Sequence, residues 1–141
     1  MQLTTNFTLA ELTVTSTGLP NQPGAEELSN LRALANHILQ PLRDALGKPV
    51  IVNSGYRSAA VNRAVGGAAT SQHRTGEAAD IVVKGMSPEA LAREIVRLRL
   101  PFDQLIWEPT WVHVSYGRRH RRQTLRATRG ATGMVYQAWK P

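Results

Sequence analysis

A mixed α+β fold, with one mostly antiparallel sheet of four to five strands packed by helices, is what this 141-residue sequence predicts. Three observations carry the expectation. Leu28, Leu31, Leu34, Ala35, Ile38 and Leu42 recur at the spacing of one helix face. Val50-Ile51-Val52 and Ile81-Val82-Val83 are short apolar runs of strand length. Trp111-Val112-His113-Val114-Ser115 alternates with period two, which sends His113 and Ser115 to one face and the valines to the other.

Taken along the chain, Thr8 and Glu11 have the spacing of a capping box and predict a short first helix. A Pro/Gly/Asn-rich loop over residues 18–24 separates it from the long helix that carries the leucine stripe, and Pro41 should bend or end that helix. Ser58 to Val65 reads as a helix stopped by Gly66-Gly67. Ser87-Pro88-Glu89 starts another, with a cap, a proline at the first position and an early acid. Strands are expected near 50–53, 80–83, 103–108 and 111–116, with a fifth near 122–127. The length suits a single domain over residues 1–141, ending in a basic segment of about 117–141.

The box Ser71-Gln72-His73-Arg74-Thr75-Gly76-Glu77-Ala78-Ala79-Asp80, answered by His113, offers three metal-ligand side chains. Catalytic zinc takes three ligands of His and carboxylate type and keeps one position open, whereas structural zinc fills all four, mostly with thiolates. The chain has no cysteine. His73, Asp80 and His113 therefore point to an open site holding one zinc ion, without excluding manganese, cobalt or iron. Gly76 allows the chain reversal that brings His73 and Asp80 together. Asp80 opens an apolar strand, where a carboxylate needs a partner to offset its desolvation.

At these residues the chain resembles the zinc D-alanyl-D-alanine carboxypeptidases and related phage peptidoglycan endopeptidases, which share a fold with the amino-terminal domain of hedgehog proteins. The resemblance takes in Phe7-Thr8-Leu9-Ala10-Glu11-Leu12, Pro41-Leu42-Arg43, Ser54-Gly55-Tyr56-Arg57-Ser58, Asn62, Gly66-Gly67, the His73 to Asp80 box, Asp103-Gln104-Leu105-Ile106-Trp107-Glu108 and Trp111 to Tyr116. It implies zinc held by His73, Asp80 and His113, and a substrate taken from the peptides of bacterial peptidoglycan. It also supports Arg57 as a group that binds the substrate carboxylate or the oxyanion, chemistry that a permanently charged guanidinium suits. Ser71 matches a position that contacts the substrate backbone, although a plain turn serine fits as well.

One departure bears on mechanism. Many relatives carry a catalytic glutamate three residues before the last ligand or a histidine two before it, and here Thr110 and Trp111 stand there. If Pro109-Thr110 is a two-residue hairpin loop, Glu108 pairs with Trp111 and Ile106 with His113, and Glu108 shares the face of His113. That makes Glu108 the expected general base. Glu77 is the rival, in what reads as an exposed loop, while Asp103 reads as an edge or turn carboxylate and His37 as a solvent or structural histidine.

Charge is uneven: residues 1–108 hold 10 basic and 10 acidic side chains, and residues 109–141 hold 7 basic and none acidic. With a pI near 10.8, Arg118, Arg119, Arg121, Arg122, Arg126 and Arg129 could form the footprint of a nucleic-acid binder. The run lacks interleaved aromatics for base stacking. Attraction to anionic cell walls, or a solvated sheet edge guarded by charge, explains it as well. The start of the chain lacks the basic and apolar stretches of a secretory signal, and no segment approaches the roughly 20 apolar residues of a membrane span. A monomer made soluble in the cytoplasm is expected, reaching the cell wall after release, as phage lysis enzymes do. The function expected is a zinc peptidase acting on peptidoglycan stem peptides, as carboxypeptidase or as endolysin-type endopeptidase. The alternatives are a non-catalytic zinc-containing wall-binding module and, further off, a nucleic-acid binder.

Overall fold

The computed structural model describes residues 1–141. Two strands, β1 (Gln2–Thr4) and β2 (Phe7–Thr8), form a small antiparallel sheet that leads into helix α1 (Leu9–Leu12). The reciprocal Thr8–Glu11 capping box starts that helix. The leucine stripe lies on α2 (Ala25–Leu34), a π-helical turn (Ala35–Leu39) and α3 (Gln40–Leu46), with Leu31, Leu34, Ala35, Ile38, Leu39 and Leu42 all fully buried. Pro41 does not end the helix. Its missing N–H and its ring would leave the His37 carbonyl crowded and unpaired in an α-helix. Instead the turn before it widens, with the Gln40 N–H donating to Ala35 O five residues back.

Six strands form the main sheet: β3 (Ile51–Ser54), β4 (Ala78–Val82), β5 (Gln104–Trp107), β6 (Val112–Ser115), β7 (Gln123–Gly130) and β8 (Gly133–Ala138). Their order is β3-β4-β6-β5-β7-β8. All neighbours are antiparallel except β5 and β7, which run parallel. The mixed class is as expected, but the sheet has six strands where four to five were expected. β7 is longer than the segment near 122–127, and β8 completes a hairpin through Ala131-Thr132 with Gly130 opposite Gly133. Helices α4 (Ala59–Ala64) and α5 (Pro88–Arg97) begin at Ser58 and Ser87, whose hydroxyls accept from Val61 N and Ala90 N. No helix is long and apolar enough to cross a membrane.

The basic carboxy-terminal segment is therefore part of the sheet, with β8 at its edge. Arg126 stacks 4.2 Å from the Trp107 ring centroid, Trp107 meets Trp139 edge-on at 5.7 Å, and Arg93 of α5 lies 5.3 Å from Trp139. These contacts, with Trp139 buried, hold the hairpin against the core. Arg122 covers Phe102 and donates to Leu100 O at 2.8 Å. Asp103 is fully buried rather than an edge carboxylate. It accepts from Arg121 Nε at 2.9 Å, Arg121 N at 3.0 Å and Gln72 Nε2 at 2.8 Å. All six arginines are exposed, but three of them, Arg121, Arg122 and Arg126, also make contacts within the fold.

The Arg121 side chain holds the Asp103 carboxyl well below the usual carboxylate range, burial opposing it and the Arg121 backbone and Gln72 adding to it. A depressed carboxylate contributes stability above its unfolded pKa of about 3.9 and loses it as the pH falls below. Asp103→Asn should lower neutral-pH stability by about 1 to 3 kcal/mol, and the gap from the unmodified protein should narrow below about pH 4. Urea denaturation of both proteins across pH checks this.

Candidate functional site

One face of the sheet is covered by helices and the other carries the polar residues. Direct pairing runs from Ser54 to Asp80, from Asp80 to His113 and from His113 to Ile106, so these side chains share the open face. Ser54 reaches it through a bulge: Val52 pairs with Ile81, yet Ser54, two residues on, pairs with Asp80. The additional residue turns Ser54 from the core face to the site face.

His73 arrives from a separate 3₁₀ turn (Gln72–Thr75), capped by the Ser71 hydroxyl, which accepts from His73 N at 3.2 Å. Gly76 closes that turn in the left-handed region at φ 78°, and a Cβ there would lie 2.6 Å from Glu27 O. Gly55 allows the other close approach. Its Cβ position is 2.4 Å from Leu12 O, so only glycine lets α1 pack on the turn that delivers Arg57. The Arg57 N–H donates to His73 O at 2.9 Å, tying that turn to the His73 segment.

Both histidines meet the same carboxylate oxygen. His73 Nε2 is 3.2 Å and His113 Nδ1 3.1 Å from Asp80 Oδ1, and the three donor atoms lie within 4.8 Å of one another. His73 Nδ1 is 2.7 Å from Gly55 O. A carbonyl only accepts, so Nδ1 carries the hydrogen and, in the neutral ring, Nε2 turns its lone pair to Asp80. Two lone-pair atoms at that distance repel unless a proton or a cation lies between them. His113 Nε2 and Trp111 Nε1 are buried beside them without a hydrogen-bond partner. The donor set fits a divalent transition-metal ion, with the Gly55 carbonyl fixing the tautomer of His73.

Asp80 is buried, which alone would raise its carboxyl. The hydrogen bonds and charges of His113 and His73 outweigh this and hold it well below the ordinary range. Its other oxygen accepts from Arg57 Nη2 at 3.3 Å, while Arg57 Nε donates to Ser54 Oγ at 3.0 Å and Nη1 to Asn62 Oδ1 at 3.4 Å. Arg57 therefore sits in the site, held by Ser54, Asn62 and Asp80.

The hairpin register at Glu108 is as expected: Ile106 pairs with His113, and the Glu108 N–H donates to Trp111 O at 3.0 Å across Pro109-Thr110. Glu108 is buried at 7% exposure and shares a cleft of about 550 Å³ with Arg57, Ser71, His73, Asp80 and His113. Burial first, and the negative charge of Asp80 second, push its carboxyl up, with His113 opposing. Glu77 lines a different cleft, of about 610 Å³, on the far side of the Ser71-Gln72 turn, and accepts from the Thr75 hydroxyl. His37 lies on the helix surface and stacks on Tyr116 at 4.6 Å.

Tyr136 and Met134, which are not among the site residues expected from the sequence, line the cleft with Glu108. A signal was present: Gly130-Ala131-Thr132-Gly133 is a turn flanked by residues of strand type.

An open sheet face bearing a His–Asp–His donor set, with the buried carboxylate of Glu108 in the same cleft, has the form of a centre for a divalent metal ion. Residues 5–115 match the family described as Peptidase M15, and the chain belongs to that family. A zinc D-Ala-D-Ala carboxypeptidase from Streptomyces albus G is 40% identical over 78 residues, 54% of this chain. The chain spans 31% of that relative's length.

His73→Ala, Asp80→Ala and His113→Ala should each abolish high-affinity binding of one divalent transition-metal ion per chain, whereas Arg57→Ala should retain it. Elemental analysis after dialysis reads the occupancy, and full occupancy in the three ligand variants would reject the assignment.

Proposed function

We propose that this protein is a zinc-dependent peptidase that hydrolyses peptide bonds in the stem peptides of bacterial peptidoglycan, as a D-Ala-D-Ala carboxypeptidase or an endolysin-type endopeptidase. The observation that carries this reading is the convergence of His73, Asp80 and His113 in one cleft with a buried Glu108 and with Arg57. Membership of the peptidase family and the name of the Streptomyces relative support the reaction class and the substrate.

Zinc, when bound by His73, Asp80 and His113, supplies Lewis acidity that lowers the pKa of water toward roughly 7. The chain's own residues do the rest. Glu108 accepts a proton from the attacking water and returns it to the leaving amine. Its raised basicity relative to an exposed glutamate suits both transfers. Arg57 presents a fixed positive charge for the carbonyl oxygen as it gains negative charge, or for a substrate carboxylate. Its three hydrogen bonds to Ser54, Asn62 and Asp80 hold that charge in place. Ser71, at the cleft's rim, contacts the substrate backbone while its hydroxyl caps the His73 turn.

The position of Glu108 favours catalysis over a wall-binding module, which needs no buried carboxylate beside the donor set. The pairing of Arg121, Arg122 and Arg126 within the fold disfavours a nucleic-acid stripe.

Glu108→Gln should keep zinc and fold, because the amide is nearly isosteric, yet lose a rate factor on the order of 10² to 10⁴. Glu77→Gln should lose far less. Mass analysis of digested peptidoglycan, with His113→Ala as the inactive control, measures both and identifies the bond cut. Full activity of Glu108→Gln would remove it as the base. Arg57→Ala should cut turnover with zinc content unchanged, and unaltered turnover would remove its assigned role.

A further inference from the structure

The carboxy-terminal hairpin, which follows the matched segment 5–115, makes one wall of the cleft, and its register shows how. On the site face, His113 pairs with Ile106, Ile106 with Leu125 and Leu125 with Ala138. Two residues further along, the same face presents Glu108 after β5 and Ala127 on β7, and Ala127 pairs with Tyr136. Ala127 is buried and carries only a methyl group. Nothing longer stands in that row between Glu108 and the phenol of Tyr136.

Tyr136 lines the cleft beside Leu125 and Met134, yet 52% of it is exposed. An aromatic ring held on a strand and left half open has area to give to a ligand, at little cost in side-chain entropy. Burial, and then the charges of Glu108 and Asp80, push its hydroxyl up, so it remains protonated and can donate a hydrogen bond. Arg57 follows β3 at one margin of the sheet and Tyr136 lies on β8 at the other, with the donor set between them.

We infer that Tyr136 is a substrate-binding residue of this cleft: its ring, with Leu125 and Met134, takes an apolar part of the peptide, and its hydroxyl donates to a backbone carbonyl beside Glu108. The inference rests on the peptidase reading and adds a residue and a subsite to it. A contact made equally in ground and transition states changes KM and leaves kcat in place.

Tyr136→Phe should therefore raise KM about three- to tenfold, and Tyr136→Ala further, with kcat, zinc content and Tm held. Val135→Thr, whose side chain lies on the opposite face of β8, should match the unmodified protein. Calorimetry gives a readout that does not depend on turnover: in the Glu108→Gln background, Tyr136→Ala should weaken binding of a synthetic stem pentapeptide ending in D-Ala-D-Ala by at least tenfold. Unchanged KM and Kd in both tyrosine variants, or a loss confined to kcat, would overturn the inference while leaving the peptidase reading intact. Binding that depends on Tyr136 without any hydrolysis by the unmodified protein would overturn the peptidase reading and uphold the subsite. Absence of both binding and hydrolysis would overturn both.

Discussion

Asp80 sits at the centre of a strand paired on both sides, where an isolated charge would be too costly to keep. Two imidazoles meet one of its oxygens and a guanidinium meets the other. Each partner comes from a different part of the chain: His73 from a 3₁₀ turn, His113 from the neighbouring strand and Arg57 from the turn after β3. Bringing them together requires the β3 bulge, the close approach at Gly55 and the left-handed Gly76. The requirement to satisfy one buried carboxylate thus reaches into much of the amino-terminal three-quarters of the molecule.

The same arrangement separates the roles of two acids on one face. Asp80 is surrounded by cationic and hydrogen-bonding partners and is held strongly ionised, which suits a metal ligand. Glu108 is buried next to that negative charge with less compensation, and its proton affinity rises, which suits proton transfer. The division follows from position within the sheet, since the two side chains have the same chemistry.

The carboxy-terminal arginines show how composition can be read too broadly. A net charge of +7 concentrated after residue 108 has the form of an electrostatic patch. In the fold, Arg121 answers a buried Asp103, Arg122 covers Phe102 and Arg126 covers Trp107. Half of the apparent patch is used to attach a hairpin to the sheet, and that hairpin supplies Tyr136 to the cleft. Local sequence shows the charges, but their partners lie 18 to 20 positions away and only folding reveals them.

Features that depend on near neighbours are written in the local sequence. The Thr8–Glu11 box, the Ser58 and Ser87 caps, the leucine stripe and the alternation around His113 are all set by interactions within a few residues or by the period of a single element. The two-residue loop at Pro109-Thr110 also set the Glu108 register, because hairpin pairing propagates from its turn. Features that depend on distant pairing arise only in the fold: the parallel contact of β5 with β7, the sixth strand, the burial of Asp103 and the place of Tyr136. Parallel neighbours share no turn that records their register, and a carboxylate's partner across a sheet leaves no mark beside it in the chain. Pro41 shows the limit from the other side, for its local penalty was legible while the π turn that absorbs it depended on keeping the leucine face against the core.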